Sequence, residues 1–504
     1  MATPSLAMIP SAIADAKVYS VLPNNGDGDF QFNRDSSATR IGQNGLIQTV
    51  GYFGSEEIIN GDFSNGGTNW SYSSSEWSFS SGLASCNGTQ SGLSYLNQSG
   101  AIVSGKTYKA TYEVVSISAG EIRIFVGGVS GIARTTTGIY NEYITAGSID
   151  FWLRGSSTFI GSIDNVSVKE VTGDQPRLNY DISNGVVQSC PSLLLEPAST
   201  NLVTYSEAFD NSYWNKSGAS VVGGFASPSA DSPLGAFKLV FDGSDNFFYS
   251  SVSNTIDTST IYIKGIKDET IKFGKGSNVS VGSLFTLSGE WQRLEYYNST
   301  TSDYLLTLST YSGATAREVY IFGAQVEVLS YATSYIPNFG QSAGETRAAE
   351  SCFGAGTSST FNSEEGTIYF EGSALSNDLT NRIMSINNGT SNYYVWLQYK
   401  STSNTIRCVY GFLGVNQADF STTIADVTLN TKIAMTWKVN EFKFFINGIK
   451  IAEDLLGSVM PAGTLNRIEL KRYNGLSPFY ANTKDIRVFK EALTDAQLQT
   501  LTTL

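Results

Sequence analysis

Residues 191–214, PSLLLEPASTNLVTYSEAFDNSYW, decide the fold. Leu193, Leu194 and Leu195 form a short continuous apolar run, and Pro197 forbids extension of that strand. Ser199, Thr200 and Asn201 supply turn chemistry before Leu202 resumes. A buried strand therefore feeds a loop that opens a new β-module, and the rest of the chain attaches to this junction.

Composition extends that reading. A chain of 504 residues implies about three domains, because single cores rarely grow past about 250 to 300 residues. Forty-nine glycines, 12% aromatic and only 15% charged residues describe many short strands and turns. The expected class is all-β and multidomain, with tandem β-sandwich or jelly-roll modules and a small N-terminal β-domain. With 32 basic against 45 acidic residues the formal charge is −13, so nucleic-acid phosphates and anionic membrane surfaces are repelled. No nucleic-acid partner and no membrane insertion are expected. Histidine is absent, which excludes Ser/His/Asp and Cys/His catalysis and His-ligated zinc. Cys86, Cys190, Cys352 and Cys408 include no CxxC pair and read as buried thiols, although Cys190 and Cys352 bracket one module and are candidates for neighbours in space. The first residues, MATPSLAMIPSAIADAKV, lack a basic n-region and are broken by Pro4 and Pro10, so no signal peptide is expected. No apolar run approaches the length of a membrane-spanning helix.

In chain order, residues 1–53 together with 172–198 read as an N-terminal arm, with a short helix around Ser11–Lys17, and a small β anchor domain. Residues 54–171 read as a first sandwich, opened by IINGDFSNGGTNW and closed by SIDNVSVKEV, inserted into a loop of that domain as exposed loops tolerate. Residues 199–337 repeat the plan: EAFDNSYW echoes GDFSNGGTNW and REVYIFGAQVEV echoes GSIDNVSVKEV. Residues 338–362, rich in Gly, Ser, Thr and Ala, read as a linker. The last domain, 363–504, shows period-two alternation at Lys443–Ile446 and Ile486–Phe489, a hairpin turn at Asn447-Gly448, and helix capping at Thr494 and Asp495.

These stretches also carry a resemblance. Residues 19–50 (YSVLPNNGDGDFQFNRDSSATRIGQNGLIQTV), 191–214 and 332–352 (ATSYIPNFGQSAGETRAAESC) resemble segments of tailed-bacteriophage virion proteins that frame a β-sandwich. The two sandwiches resemble carbohydrate-binding modules of the family-four and family-nine type. TWKVNEFKFFINGIKI with DIRVFKEALTDAQLQTL resembles the concanavalin-like, laminin-G-like jelly roll. The resemblance implies a tail or head fibre, or a capsid decoration protein, located in the virion after synthesis in the host cytoplasm. It implies attachment to host cell-surface glycans, contact with other virion proteins through the N-terminal arm, and a homotrimer. The alternatives are a virion-associated polysaccharide depolymerase and a purely structural capsid-surface protein. Any of the 45 acidic residues could supply a glycosidase pair, but no ExDxE-like motif appears in the last domain, and the expectation is a non-enzyme.

Sugar sites of sandwich modules combine flat aromatic faces with Asn, Gln, Asp and Arg at the ring edges. Trp70, Trp214, Trp291 and Trp437 occupy alternation or core positions. Trp77 and Tyr213 stand among polar residues, and Tyr393, Tyr394, Trp396 and Tyr473 with Asn474 occupy loop or strand-edge surroundings. These seven are the candidate carbohydrate-binding residues. No cofactor is required. The hard oxygen ligands favour Ca2+ over other ions, and the module resemblance implies a structural calcium between Asp62 and Asp164.

Overall fold

The protein is described by a computed structural model over residues 2–14, 16–172, 175–183, 186–232 and 234–504. It is all-β, multidomain and antiparallel throughout its named strands, and one short helix, Asp495–Thr502, stands among the described residues. Thr494 caps that helix in a capping box with Gln497, and Asp495 in its first turn meets Lys443 and Lys450.

The two sandwiches share one topology. In the first, the strands Gly138–Thr145, Thr107–Ala119, Ile160–Thr172, Leu83–Asn87 and Trp77–Ser80 lie side by side in that order. In the second, Gln292–Asn298, Asp257–Gly265, Glu318–Glu327, Ala236–Phe241 and Ala219–Phe225 do the same, and the facing five-stranded sheets also correspond strand for strand. The echoed openings build the same device twice. Phe63 packs on Trp70 with ring centroids 5.4 Å apart, and Phe209 on Trp214 at 5.2 Å. Each indole N–H then donates to a carbonyl upstream, Trp70 to Asn60 at 3.0 Å and Trp214 to Tyr205 at 2.9 Å. Both closing strands also carry a left-handed residue beside a register slip, Asn165 (φ 53°) in one and Gly323 (φ 60°) in the other. Trp291, expected in a core, is only half-buried and packs beside Ile47 and Tyr335.

The N-terminal residues do not form an arm or a separate anchor domain. Leu6–Met8 pairs with the strand Ala481–Phe489, Leu6 opposite Val488 and Met8 opposite Ile486. Ser192–Leu194 pairs with the same strand further along, so the PSLLLEP run is a strand of the C-terminal sandwich. Leu6, Met8, Val18, Phe30, Phe32, Leu193 and Leu195 share one core with Met435, Trp437 and Phe444. A short apolar strand cannot bury both faces within so few residues, and the unfilled edge of the Ala481–Phe489 strand supplies the missing surface. Instead of the expected helix at Ser11–Lys17, Ile13–Ala14 and Lys17–Val18 form a hairpin, with Asp15 outside the described residues.

Residues 338–362 are not a linker either. Glu345–Arg347 pairs with Ser199–Asn201, Ser351–Phe353 pairs with Phe30–Asn33, and Arg347, Glu350, Cys352 and Phe361 are buried. Cys352 is enclosed while Cys190 is exposed, and both are free thiols, so they do not pair.

What unites the modules is a buried ionic cluster. Glu350 receives Arg34 Nη1 and Arg177 Nε, each at 2.8 Å, together with Arg177 Nη2. Glu196 receives Arg177 Nη1 at 2.8 Å and Arg347 Nη1 at 2.9 Å. Burial alone would raise Glu196, but Arg347 and Arg177 outweigh it and hold the carboxyl at about 2. Arg34 precedes the first sandwich, Arg177 and Glu196 lie between the two, and Arg347 and Glu350 follow the second. The cluster therefore sits at every crossing of the chain between modules.

Candidate functional site

The outer face of the C-terminal five-stranded sheet gathers most of the aromatic candidates. Strand alternation in Tyr393–Tyr399 sends Val395, Leu397 and Tyr399 into the main core, while Tyr394 and Trp396 form a separate cluster with Ile383 and Val409 on the other face. Tyr394 and Trp396 stack with centroids 4.1 Å apart and planes 17° from parallel. Gly411 lies opposite Tyr394 on the next strand, and a Cβ there would stand 2.2 Å from Tyr394 Cζ, so the absent side chain makes room for the ring. A turn closed by Gly475 N–H donating to Arg472 O at 2.8 Å carries Arg472 and Tyr473 onto this cluster. The Arg472 guanidinium lies 4.9 Å from the Trp396 ring centroid and 5.3 Å from that of Tyr473.

Polar groups rim the aromatics. Tyr394 Oη donates to Asn416 Oδ1 at 2.8 Å, and Asn416 Nδ2 donates to Asp419 Oδ2 at 2.8 Å. The bond from Arg407 holds the Asp419 carboxyl below its usual range, while burial pushes the Tyr394 hydroxyl up against the opposing pull of Arg407 and Arg472. On the other flank Asn387 Nδ2 donates to Glu469 Oε2 at 3.0 Å and to Ser385 Oγ at 2.8 Å. Tyr394 is 6% and Trp396 7% exposed, so the stacked pair is largely covered; of the polar groups around it Asn416 and Asp419 reach solvent, while Asn387 and Ser385 are enclosed.

The remaining candidates do not join this face. Trp77 is 2% exposed in the core of the first sandwich, where its Nε1–H donates to Ser94 Oγ at 2.7 Å, so it is not a platform. Tyr213 is half-buried against Tyr205 and Trp214 in the second sandwich. Tyr393 points to the opposite side of its sheet and packs on Phe412. Asn474 caps its own turn, accepting from Leu476 N–H at 3.2 Å. Asp62 accepts from the Ser64 N–H and hydroxyl, which hold its carboxyl below the usual range. Asp164 is raised by burial first and further by the charges of Glu113 and Asp62. Among the described residues, no three Cys, Asp or Glu side chains converge in a metal-holding group. Sequence reasoning missed Arg472, Arg407 and Asn416. Arg472 was within reach, because it adjoins Tyr473 in a turn-rich stretch.

Two carboxyls elsewhere, buried Glu207 and half-buried Glu345, join neighbouring elements. Burial pushes Glu207 up to about 7 despite hydrogen bonds from Ser232 and Tyr335, and pushes Glu345 to about 7 despite the Thr145 hydroxyl that joins it to the first sandwich. Because these folded-state values lie above the ordinary 4.5, the folded protein binds protons more tightly than the unfolded chain. Stability contributed by these groups is therefore full below pH 4.5 and lost as pH rises toward 7. A thermal melt series from pH 5 to pH 8 should show a falling midpoint, and Glu207→Gln should flatten that slope. An unchanged slope in the variant would remove Glu207 as a cause.

No family model matches the chain, and no curated protein sequence matches it. Among solved structures it is similar to the Ruminococcus gnavus IT-sialidase CBM40 bound to α2,3-sialyllactose, with 18% identity over 28% of this chain and 83% of that one at a TM-score of 0.24. It is also similar to domain 4 of AbnA, a GH43 extracellular arabinanase from Geobacillus stearothermophilus, in complex with arabinotriose, with 13% identity over 31% of this chain and 73% of that one at 0.25. The CBM22-1-CBM22-2 tandem of Paenibacillus barcinonensis Xyn10C shows 10% identity over 56% of this chain and 98% of that one at 0.22. Likenesses with TM-scores between 0.22 and 0.25 carry no argument about ligand or activity.

Proposed function

We propose that the chain is a virion protein of a tailed bacteriophage, a tail or head fibre or a capsid decoration protein, that attaches to host-surface glycans. The observation that carries the binding part is the stacked Tyr394–Trp396 pair on an outer sheet face, edged by Asn416, Asp419 and Arg407. Such shallow sites hold one sugar weakly, and many copies on a particle multiply the effect. A homotrimer would supply the first level of that multiplication.

Support for the virion part comes from the resemblance of residues 19–50, 191–214 and 332–352. Arg34, Glu196, Arg347 and Glu350, four of the five members of the buried ionic cluster, lie in those three stretches. The resembling segments thus build the frame that holds the modules. Leu6–Met8 is enclosed in the chain's own core, so contact of the N-terminal residues with other virion proteins would fall to the exposed positions beside them, such as Ile9.

Binding of fluorescently labelled protein to host cells, with and without periodate oxidation of surface sugars, tests this reading. Oxidation should abolish binding, and Trp396→Ala should weaken it about tenfold or more, as loss of a central aromatic anchor does. Since Trp396 is largely buried, Asn416→Ala provides a second, less disruptive variant that should weaken binding in the same direction. Binding that survives periodate and both substitutions would sink the proposal.

A further inference from the structure

The aromatic face carries a charge pattern that its packing does not explain. Two hydrogen-bond donors on adjacent side chains, Trp396 Nε1 and Arg472 Nε, are buried with no acceptor, although Trp396 is only 7% exposed. Buried donors are nearly always satisfied, and each exception calls for a reason. Here both orphans are donors, so the missing partner is an acceptor.

Most other arginines with an unbonded Nε differ. Arg347 and Arg382 reach Glu196 and Asp378 through their remaining nitrogens, while half-buried Arg40, away from the aromatic face, has no hydrogen bond or ion pair among the described residues either. Arg293 donates to the Thr333 carbonyl at 2.6 Å. Arg472 has no carboxylate at ion-pair distance and no acceptor for its guanidinium among the described residues, and it rests on two aromatic rings instead. The nearby carboxylates are engaged elsewhere, Asp419 by Arg407 and Asn416, Glu469 by Asn387. On a chain of net charge −13, Arg472 is a guanidinium without a carboxylate partner beside a stacked aromatic pair.

From this we infer that the outer sheet face binds an anionic glycan, with Arg472 as counter-ion to a sugar carboxylate or phosphate and Trp396 as the ring platform and N–H donor. The inference rests on the glycan-binding reading above and narrows it to a ligand class. Binding moves the guanidinium off the Trp396 ring toward the anion, exchanging a cation–π contact for a charge-assisted pair and baring the indole face for the sugar. Arginine suits either anion because its planar fork donates bidentately to both.

The test uses the full chain and four immobilised polymers: polygalacturonate, alginate, polysialic acid and a glycerol-phosphate teichoic acid. Each carboxylate polymer is paired with its carboxyl-reduced form, and the teichoic acid with its dephosphorylated glycosylglycerol repeat. At least one charged member should bind tenfold or more tightly than its neutral counterpart, with the preference shrinking between 50 and 300 mM salt. Arg472→Ala and Arg472→Gln should bring that ratio toward one. Which pair responds tells carboxylate from phosphate. Equal binding within every pair, or a preference that survives both variants, overturns the inference while the broader glycan reading stands. Absence of binding to every polymer, combined with periodate-insensitive attachment to host cells, overturns both.

Discussion

Glu350→Ala lowers the unfolding free energy of the unit that contains the junction by about 3–5 kcal/mol, the usual result of removing one partner from a buried ionic cluster. The size follows from what is stranded. Arg34 and Arg177 are both 0% exposed and both face Glu350, so its loss leaves two buried guanidinium groups without that carboxylate. Glu196 cannot take over, because it already receives Arg177, Arg347 and the Ser334 hydroxyl. Glu350→Gln should recover only part of the loss, since an amide accepts a hydrogen bond but adds no negative charge. Urea denaturation followed by circular dichroism measures the difference. A loss under about 1 kcal/mol would show that water enters the cluster and screens it.

Leu6→Ala and Met8→Ala each cost about 2–5 kcal/mol, in the range of large-to-small changes at well-packed core sites. Both side chains are fully buried against the C-terminal core, and the strand they occupy also donates its backbone to Ala481–Phe489. The informative readout is local. Trp437, in that same core and 0% exposed, should report the destabilised transition by its fluorescence, although it lies at the other end of the sequence. An N-terminal tail free to contact another protein would leave that transition unmoved when Leu6 is truncated.

Local chemistry made much of the fold legible. The Asn447-Gly448 turn, the Thr494 cap and the Leu193–Leu195 run are set by residues within a few positions of one another, and the structure realises each. Trp77 shows where a local rule was misapplied. Its serine neighbours suggested exposure, yet in a strand Ser78 and Ser80 take the solvent side and turn Trp77 inward. The site was half legible: alternation in YYVWLQYK places Tyr394 and Trp396 together, but nothing local brings Arg472 above them. The ionic cluster lay furthest from sequence reasoning. Arg34 meets Glu350 across 316 positions and Arg177 meets it across 173, and charged residues read as surface until such distant partners are known.

Pairing of Leu6–Met8 with Ala481–Phe489 also governs biosynthesis. Residues 6–8 are made long before their partners at 481–489, so this part of the sheet closes only after both sandwiches in between have been synthesised. A product released early by a nonsense codon would display intact middle modules beside an unsealed hydrophobic edge.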